Sequence, residues 1–452
     1  MKRSRALVLL FLGVLLAACG GTYHPPTADQ AIVTQGQPGT QPGAGTGAPT
    51  SGPIAGGTTS GPIVSGPTAP NVPGSSAGGG QTAVQGGVIK LGGVFPLTGP
   101  IAPIGRSYYE GLASYYSYIN ERGGINGARI QFLVEDDQFD PARGKALIRK
   151  LIEQDKVFAI SGVLSPFTMI AALPDIRKSG TPAVPGTGTD GREYNEKLIY
   201  NTYAPCERQV QGQMEDAIKR RGSKRIALLH INIDTARQCA DGAQAAISKL
   251  GATSTYRGEL QAGGANCSPQ VLNARTRSGG ADTVFMLTDN LGVVKCVQAM
   301  NQQNWDPLVS VTANLADDQV VINALGGLAE GMHTVSPFTG INSPEYEALC
   351  GPAMNRFFPN ANTQYFTIVG CTGAHLFVTA MRALGANATQ ASLVKYLESG
   401  VTFSTGGVSP NFSFKPNAHP GYLHMPVDLV RPLEVKGGKW VVVGPLFHGI
   451  HA

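Results

Sequence analysis

After residue 87, apolar β-branched runs alternate with stretches of helical periodicity along most of the chain. Val88 to Phe95 reads as a strand. Ser107 to Glu121 reads as a helix, with Tyr108, Leu112, Tyr115, Tyr116 and Ile119 on one apolar stripe. A Gly-rich turn at 123–127 leads to a strand over Arg129–Glu135. Asp140-Pro141 is a helix start, an N-cap followed by Pro, and that helix runs to about Gln154. Val157–Ser161 and Pro182–Val184 are further strands, separated by a helix that begins at Ser165-Pro166. The pattern then restarts. Glu207–Arg221, Thr235–Leu250, Pro269–Arg277 and Leu291–Gln303 are helical, with strands at Arg225–His230, Thr253–Leu260, Thr283–Leu287 and Leu308–Val311. Helices follow over Glu345–Phe358, Tyr365–Leu384 and Gln390–Glu398. Phe412–Phe414, Tyr422–Val430 and Trp440–Val443 alternate as antiparallel strands do.

Alternating strands and helices predict an α/β class, with two parallel sheets in tandem, each covered by helices on both faces. Ligands of such sheets bind at the carboxyl ends of the strands, where loops run into helix N-termini. The loops in question are GPIAPIG (99–105), SPFT (165–168) and GTGTD (186–190). They are rich in Gly, Ser and Thr and poor in catalytic groups, which points to binding rather than reaction.

The 452 residues carry only 14% charged side chains, with 59 Gly and 31 Pro. The net charge of +5 is not gathered into a basic stripe with aromatics, so the pattern offers no nucleic-acid surface. Lys219–Arg225 reads as a helix C-terminus, where cations are favoured. Residues 1–18, a basic start and a short apolar run, read as an export signal. Leu16-Ala17-Ala18-Cys19 resembles the lipobox of bacterial lipoproteins, which implies a lipid on Cys19 and an anchor to the outer face of the cell membrane. From 19 to 87 the chain is low in complexity, and Asp29 is its one charged side chain. Such a stretch is expected to be a flexible tether spanning on the order of 45 Å.

The ordered motifs PLTGP (96–100), INERGGINGARI (119–130) and EDDQFDP (135–141), with Gly162 and Ser179-Gly180-Thr181-Pro182, carry a resemblance. The folded part resembles the type I periplasmic binding proteins, most nearly the leucine/isoleucine/valine-binding receptors of ABC transporters. The resemblance implies two doubly wound, Rossmann-like lobes joined by three crossovers, near Ala204, Val335 and Phe412, that close on a small solute. It divides the chain into lobe 1 (88–204 plus 337–412) and lobe 2 (205–336 plus 413–452). It also implies a monomer, with no cofactor and no metal, that serves ABC permease subunits. A sensor or adaptor of the same fold without transport is the alternative.

By position, the family's carboxylate-holding groups fall on Ser165, Thr168, Thr187 and Thr189. Ser165 is equally an N-cap, and the threonines are equally turn residues. Other positions depart from the family. Ile104 stands near its pocket aromatic, and Gln238-Cys239-Ala240 replaces its second-lobe motif. Its ammonium-binding acid would fall near Thr312, Ala313 and Asn314, where there is no carboxylate. Asp289 is the nearest replacement, or a helix cap. An amino acid held by Asp289, an amide, and a carboxylate without an amine are therefore all open as ligands.

Beyond Cys19, the cysteines at 206, 239, 267, 296, 350 and 371 are even in number, as disulfides in an exported chain require. Cys350 and Cys371 lie on expected neighbouring helices and are expected to pair. The other four are expected to pair within the second lobe, Cys206 with Cys239 and Cys267 with Cys296 being one arrangement. The family's lobe-one disulfide is missing, with Phe139 and Ser165 near its ends. His230, Asp234 and Cys239 are the nearest approach to a catalytic set, but no enzyme motif accompanies them. His448 and His451 read as a loose tail.

Overall fold

The structure, a computed structural model, describes residues 81–99, 101–261, 266–315 and 319–449. Cys19, the tether as far as residue 80 and His451 lie outside them. The chain opens with β1 (Val84–Gln85), β2 (Val88–Phe95), α1 (Ala102–Glu121), β3 (Arg129–Asp136), α2 (Pro141–Glu153) and β4 (Ala159–Val163). It continues with α3 (Pro166–Ser179), β5 (Ala183–Gly186) and β6 (Ile199–Asn201). The second unit is α4 (Cys206–Glu215), β7 (Arg225–Ile231), α5 (Asp234–Lys249), β8 (Thr253–Leu260), α6 (Ser268–Thr276), β9 (Thr283–Leu287), α7 (Asn290–Gln302), β10 (Leu308–Val311), α8 (Gln319–Leu325) and β11 (His333–Ser336). Then come α9 (Pro344–Leu349), α10 (Gly351–Phe357), α11 (Tyr365–Leu384), α12 (Gln390–Glu398), β12 (Leu429–Lys436), β13 (Lys439–Val442) and β14 (Phe447–His448).

The first sheet has the parallel order β3-β2-β4-β5-β6, with β1 antiparallel to β2. The second repeats it as β8-β7-β9-β10-β11 and is extended by antiparallel β12 and β13, with β14 also on β12. In both sheets the chain reverses direction between the first and third strands of the unit, β2/β4 and β7/β9. These are the switch points where a crevice opens at the carboxyl ends. β4 and β9 are buried at every position, as strands covered on both faces must be. Asp140 accepts from Ala142 and Arg143 amides at 2.8 and 2.9 Å, which is the cap its spacing predicts.

α11 packs against α1 with backbones nearly touching. A Cβ on Gly111 would lie 2.3 Å from the Thr367 carbonyl oxygen, and one on Gly370 would lie 2.5 Å from that of Tyr108. Only glycine fits both positions. By length and composition α11 could cross a membrane, whereas the sequence pattern predicts no spanning segment beyond the export signal. Here it is mostly buried within the core.

The structure corrects several boundaries. Residues 81–85 are part of the fold rather than of the tether: Ala83 is buried and its amide donates to the Ala388 carbonyl at 2.8 Å. α1 begins at Ala102, not Ser107, so most of GPIAPIG is its first turn, with Pro103 placed where helices accept proline. The helix expected over Glu345–Phe358 is divided at Cys350 into α9 and α10, where Gly351-Pro352 interrupts it. The stretch Phe412–Phe414 forms no strand, only a bridge between Phe403 and Phe412. Phe412, Phe414 and Val427 are buried in the first unit's core, so 413–427 pack there and the chain enters the second sheet at Leu429 rather than near Phe412. β6, α8 and β11 are elements that the pattern did not predict. His448 is not a loose residue: it belongs to β14 and pairs with Asp428 at 3.0 Å.

All three expected disulfides form. Their Cα separations are 6.0 Å for Cys350–Cys371, 5.5 Å for Cys206–Cys239 and 5.0 Å for Cys267–Cys296. Peptide mapping of the unreduced protein is expected to recover these three pairs. Replacing Cys350 and Cys371 by Ala should lower the unfolding free energy by about 3 kcal/mol, read by denaturant titration.

His333 is fully buried at the start of β11, opposite Glu434 of β12. Burial, helped by nearby Arg221, pushes its imidazole pKa down to about 3. The folded ring therefore stays neutral while the unfolded one takes a proton below about 6.5. Stability from this group is present above that value and is lost as pH falls toward about 3, at up to ~1.4 kcal/mol per pH unit. The melting point should thus fall between pH ~7 and ~5, and less steeply in His333→Gln. Equal slopes in the two proteins would refute this assignment.

Candidate functional site

The loop 186–190 leaves β5 at the carboxyl end of the first sheet and is held from behind. The Thr187 hydroxyl donates to the Val163 carbonyl at 2.6 Å, beside the end of β4. The Tyr203 phenol donates to the Thr187 carbonyl at 2.8 Å, and the Tyr194 phenol to that of Gly188 at 2.7 Å. The Gly188 amide donates to Asn201 Oδ1 at 2.9 Å. The Cys206 amide, opening α4 in the second unit, donates to the Thr189 carbonyl at 3.0 Å. Every carbonyl from Thr187 to Thr189 is thus occupied. The half-buried Thr189 keeps its hydroxyl and amide uncommitted among the described residues. Burial works against the Asp190 charge, but hydrogen bonds from Arg192 hold its carboxyl below the usual range.

The other residues singled out by sequence take these positions. Ser165 is fully buried and caps α3, accepting from the Thr168 amide at 3.2 Å. The buried Thr168 hydroxyl donates to Asp137 Oδ2 at 2.8 Å. Burial pushes the Asp137 carboxyl up, against the hydrogen bonds from Phe139 and Thr168. On the second unit, Asp289 is half-buried and caps α7, accepting from the Gly292 amide at 2.8 Å. Asn314, also half-buried, lies in the single turn Ala313–Leu315 after β10. Ile104 packs at the edge of the first core.

An aromatic set between the units escaped the sequence reading. Tyr203 and Phe338, near the first two crossovers, stand with ring centroids 6.4 and 5.5 Å from Tyr365 at the start of α11. Tyr108 lies 6.5 Å from Phe366 in the same group, and burial raises its phenol far above the ordinary range. Ala313 of the second unit joins this buried cluster, at the place where the resemblance expected an acid. The only signal for it in the sequence was the placement of these rings at crossovers and at a helix start.

The would-be catalytic set is dispersed. Cys239 is bonded to Cys206, and His230 accepts from Arg257 at 3.0 Å. Asp234 pairs with Arg237 at 3.0 Å. Among the described residues no group of three His, Cys, Asp or Glu side chains is arranged to hold a metal. Two surface grooves of about 650 Å³ lie elsewhere, one lined by Trp305, Leu308 and Glu330, the other by Gly180, Leu198 and Glu398. Both open at the amino ends of strands, so the carboxyl-end cleft is the better candidate.

Residues 88–437 match the periplasmic binding protein family. An "Amino acid binding protein" of Pseudomonas aeruginosa is 26% identical over 247 residues, or 54% of this chain and 64% of that relative's length. That span is somewhat under two thirds of the relative. Among solved structures, a solute binding protein of an ABC transporter from R. palustris, in complex with benzoate, superposes with a TM-score of 0.67 at 19% identity, covering 78% of this chain and 95% of that one. The branched-chain amino acid transporter substrate binding protein of Streptococcus pneumoniae, in complex with isoleucine, superposes with a TM-score of 0.66 at 18% identity, covering 79% and 100%. At these identities the structures speak to the fold. Two sheets of the same strand order, joined by the crossovers and matched over 88–437, make the chain a member of the periplasmic binding protein family, in the type I fold of the branched-chain amino acid receptors.

Proposed function

We propose that the chain is a lipid-anchored extracytoplasmic receptor that closes on a small carboxylate with an apolar or aromatic body and delivers it to an ABC permease. The observation that carries this reading is the loop 186–190. Its carbonyls are occupied from behind, which leaves the Thr189 hydroxyl and amide for an anion. Ala313, Tyr203, Phe338 and Tyr365, buried against one another here, would offer apolar surface on opening where an amine-binding acid would otherwise stand. A buried ammonium without a carboxylate is costly, which favours acids that carry no amine. The benzoate complex of the R. palustris relative is consistent with such a ligand. Ser165 and Thr168 act in this reading through their backbone and their support of α3, since both hydroxyls are engaged within the fold. Asp289, with Asn314 beside the apolar cluster, would face the ligand from the second unit on closure. Lobes at 81–204 plus 337–427 and 205–336 plus 429–449 would move about the crossovers.

A melting-point screen of benzoate, isoleucine, other amino acids and amides tests the proposal. Carboxylates with apolar bodies should raise the melting point, by a stabilisation of about 2.7 kcal/mol at a hundredfold excess over Kd. If no member of the panel shifts it, the reading is wrong. Thr189→Val should weaken the binding ligand by about 1–3 kcal/mol, seen by calorimetry, with the ligand-free melting point unchanged. Asp289→Asn keeps the α7 cap and should weaken only ligands with a positive nitrogen. Unaltered affinity in Thr189→Val would exclude this loop as the seat.

The anchor has its own test. Cys19→Ala should release the protein from the membrane fraction of cells, while a chain beginning at residue 81 should still fold. Wild-type protein found soluble, with no lipid mass on Cys19, would rule the anchor out.

A further inference from the structure

Beneath loop 186–190 lies Glu193, in the single turn Glu193–Asn195. It is fully buried, which is rare for a carboxyl without an ion-pair partner. A Cβ on Gly188 would lie 1.8 Å from Glu193 Oε2, so the loop backbone rests directly on this carboxyl. The Asn201 amide faces the same carboxyl while its Oδ1 accepts from the Gly188 amide. Among the described residues no donor other than the Asn201 amide faces either Glu193 oxygen. Glu193 and Asn201 together form the floor on which Gly188 and Thr189 sit.

The surroundings disfavour a charge there. Asp190 precedes Glu193 in the same loop and adds repulsion. Arg192 is turned to Asp190, giving it two side-chain hydrogen bonds at 2.9 and 2.6 Å. Tyr194 and Tyr203 spend their phenolic protons on loop and neighbouring carbonyls. Glu207, on the first turn of α4, accepts from Tyr422 and adds negative charge near Tyr194. Arg208 donates to the Pro420 carbonyl and sits over the Tyr422 ring. Tyr365 closes the cluster from α11.

We propose that Glu193 is a positioning residue for the ligand loop: uncharged, it lets Gly188 and Thr189 keep their shape, and its ionisation lifts the loop off its floor. Burial, then Asp190, raises its pKa well above the ordinary glutamate value, in agreement with this role. The seated loop therefore holds a proton that the lifted loop gives up. Seating is fully favoured below about 4.3 and weakens about tenfold for each pH unit above it, up to the raised pKa. The consequence for ligand rests on the loop being the ligand's seat, as proposed above; the loop motion itself does not.

The test is hydrogen exchange of the Gly188 amide in the ligand-free protein, wild type against Glu193→Gln, between about pH 5 and about pH 8. Comparing the two at each pH cancels the intrinsic rate. The opening equilibrium of the wild type should climb with pH relative to Glu193→Gln, by up to about tenfold per pH unit below the raised pKa. Parallel curves would overturn the proposal. Glu193→Ala should expose this amide at every pH, and protection equal to that of Glu193→Gln would overturn the floor role even if one variant were destabilised elsewhere. In the second arm, benzoate and isoleucine are titrated by calorimetry over the same range. A probe that binds should lose affinity with rising pH in the wild type and not in Glu193→Gln. If exchange behaves as expected and neither probe binds, the buttress stands and the ligand assignment fails.

Discussion

Where α1 crosses α11, the helix backbones approach until Gly111 meets the Thr367 carbonyl and Gly370 meets that of Tyr108. That approach is what the rest of the molecule depends on. α11 arrives only after the chain has built the five parallel strands of the second sheet, β7 to β11, and returned. Its apolar surface is therefore the long-range contact that completes the first unit's core, at a large cost in loop closure. Two side chains at the crossing would hold the helices apart and shift everything α11 carries. It carries Tyr365 at its start and Cys371 in its middle, and the disulfide ties it to Cys350 between α9 and α10. The crossing thus positions one wall of the cleft as well as the core.

The cleft loop obeys a related constraint. A loop that presents amides and hydroxyls to a ligand must first satisfy its own carbonyls, because unpaired backbone groups near a core are costly. Tyr194, Tyr203 and the Cys206 amide do this from three directions. The last of these belongs to the second unit, and the Cys206–Cys239 disulfide fastens it to α5. The loop is therefore mechanically continuous with a crossover between units. Closure and loop shape are expected to be coupled through it, a two-state arrangement of the kind hinged receptors use. Beneath the loop the same close packing leaves several buried polar atoms short of partners among the described residues, namely the Glu193 oxygens, which only the Asn201 amide faces, and Thr202 Oγ1. Such a concentration of unsatisfied groups is uncommon in a protein interior.

Most of the fold was legible in the chain, because local chemistry specifies it. Pro at a helix start, an Asp or Ser cap, and β-branched runs buried on both faces act over a few residues, so β2, β4, α2 and α7 could be read directly. The cysteines were legible for the same reason: Cys350, between α9 and α10, is joined to Cys371 of α11 by a short stretch of chain. What misled were segments whose environment is distant. Residues 81–85 look like tether, yet they bond to 388–390. Phe412 and Phe414 alternate like a strand, yet each ring is buried in the first core. β6 and β11 are too short for periodicity to reveal.

The sequence by itself determined the α/β class, the two tandem α/β units, and the loops at the carboxyl ends of the strands. It also determined which hydroxyls stand near those loops. Only the tertiary structure decided what each hydroxyl does. Ser165, Thr168 and Thr187 spend theirs on an amide, a carboxylate and a carbonyl brought from elsewhere, and Thr189 does not. Only the tertiary structure put Ala313 among aromatic rings from the other unit and buried Glu193 under Gly188. The physical reason is range. Caps and strand propensity depend on neighbours along the chain, whereas the partner of a buried hydroxyl or carboxyl is chosen by packing between segments far apart in it.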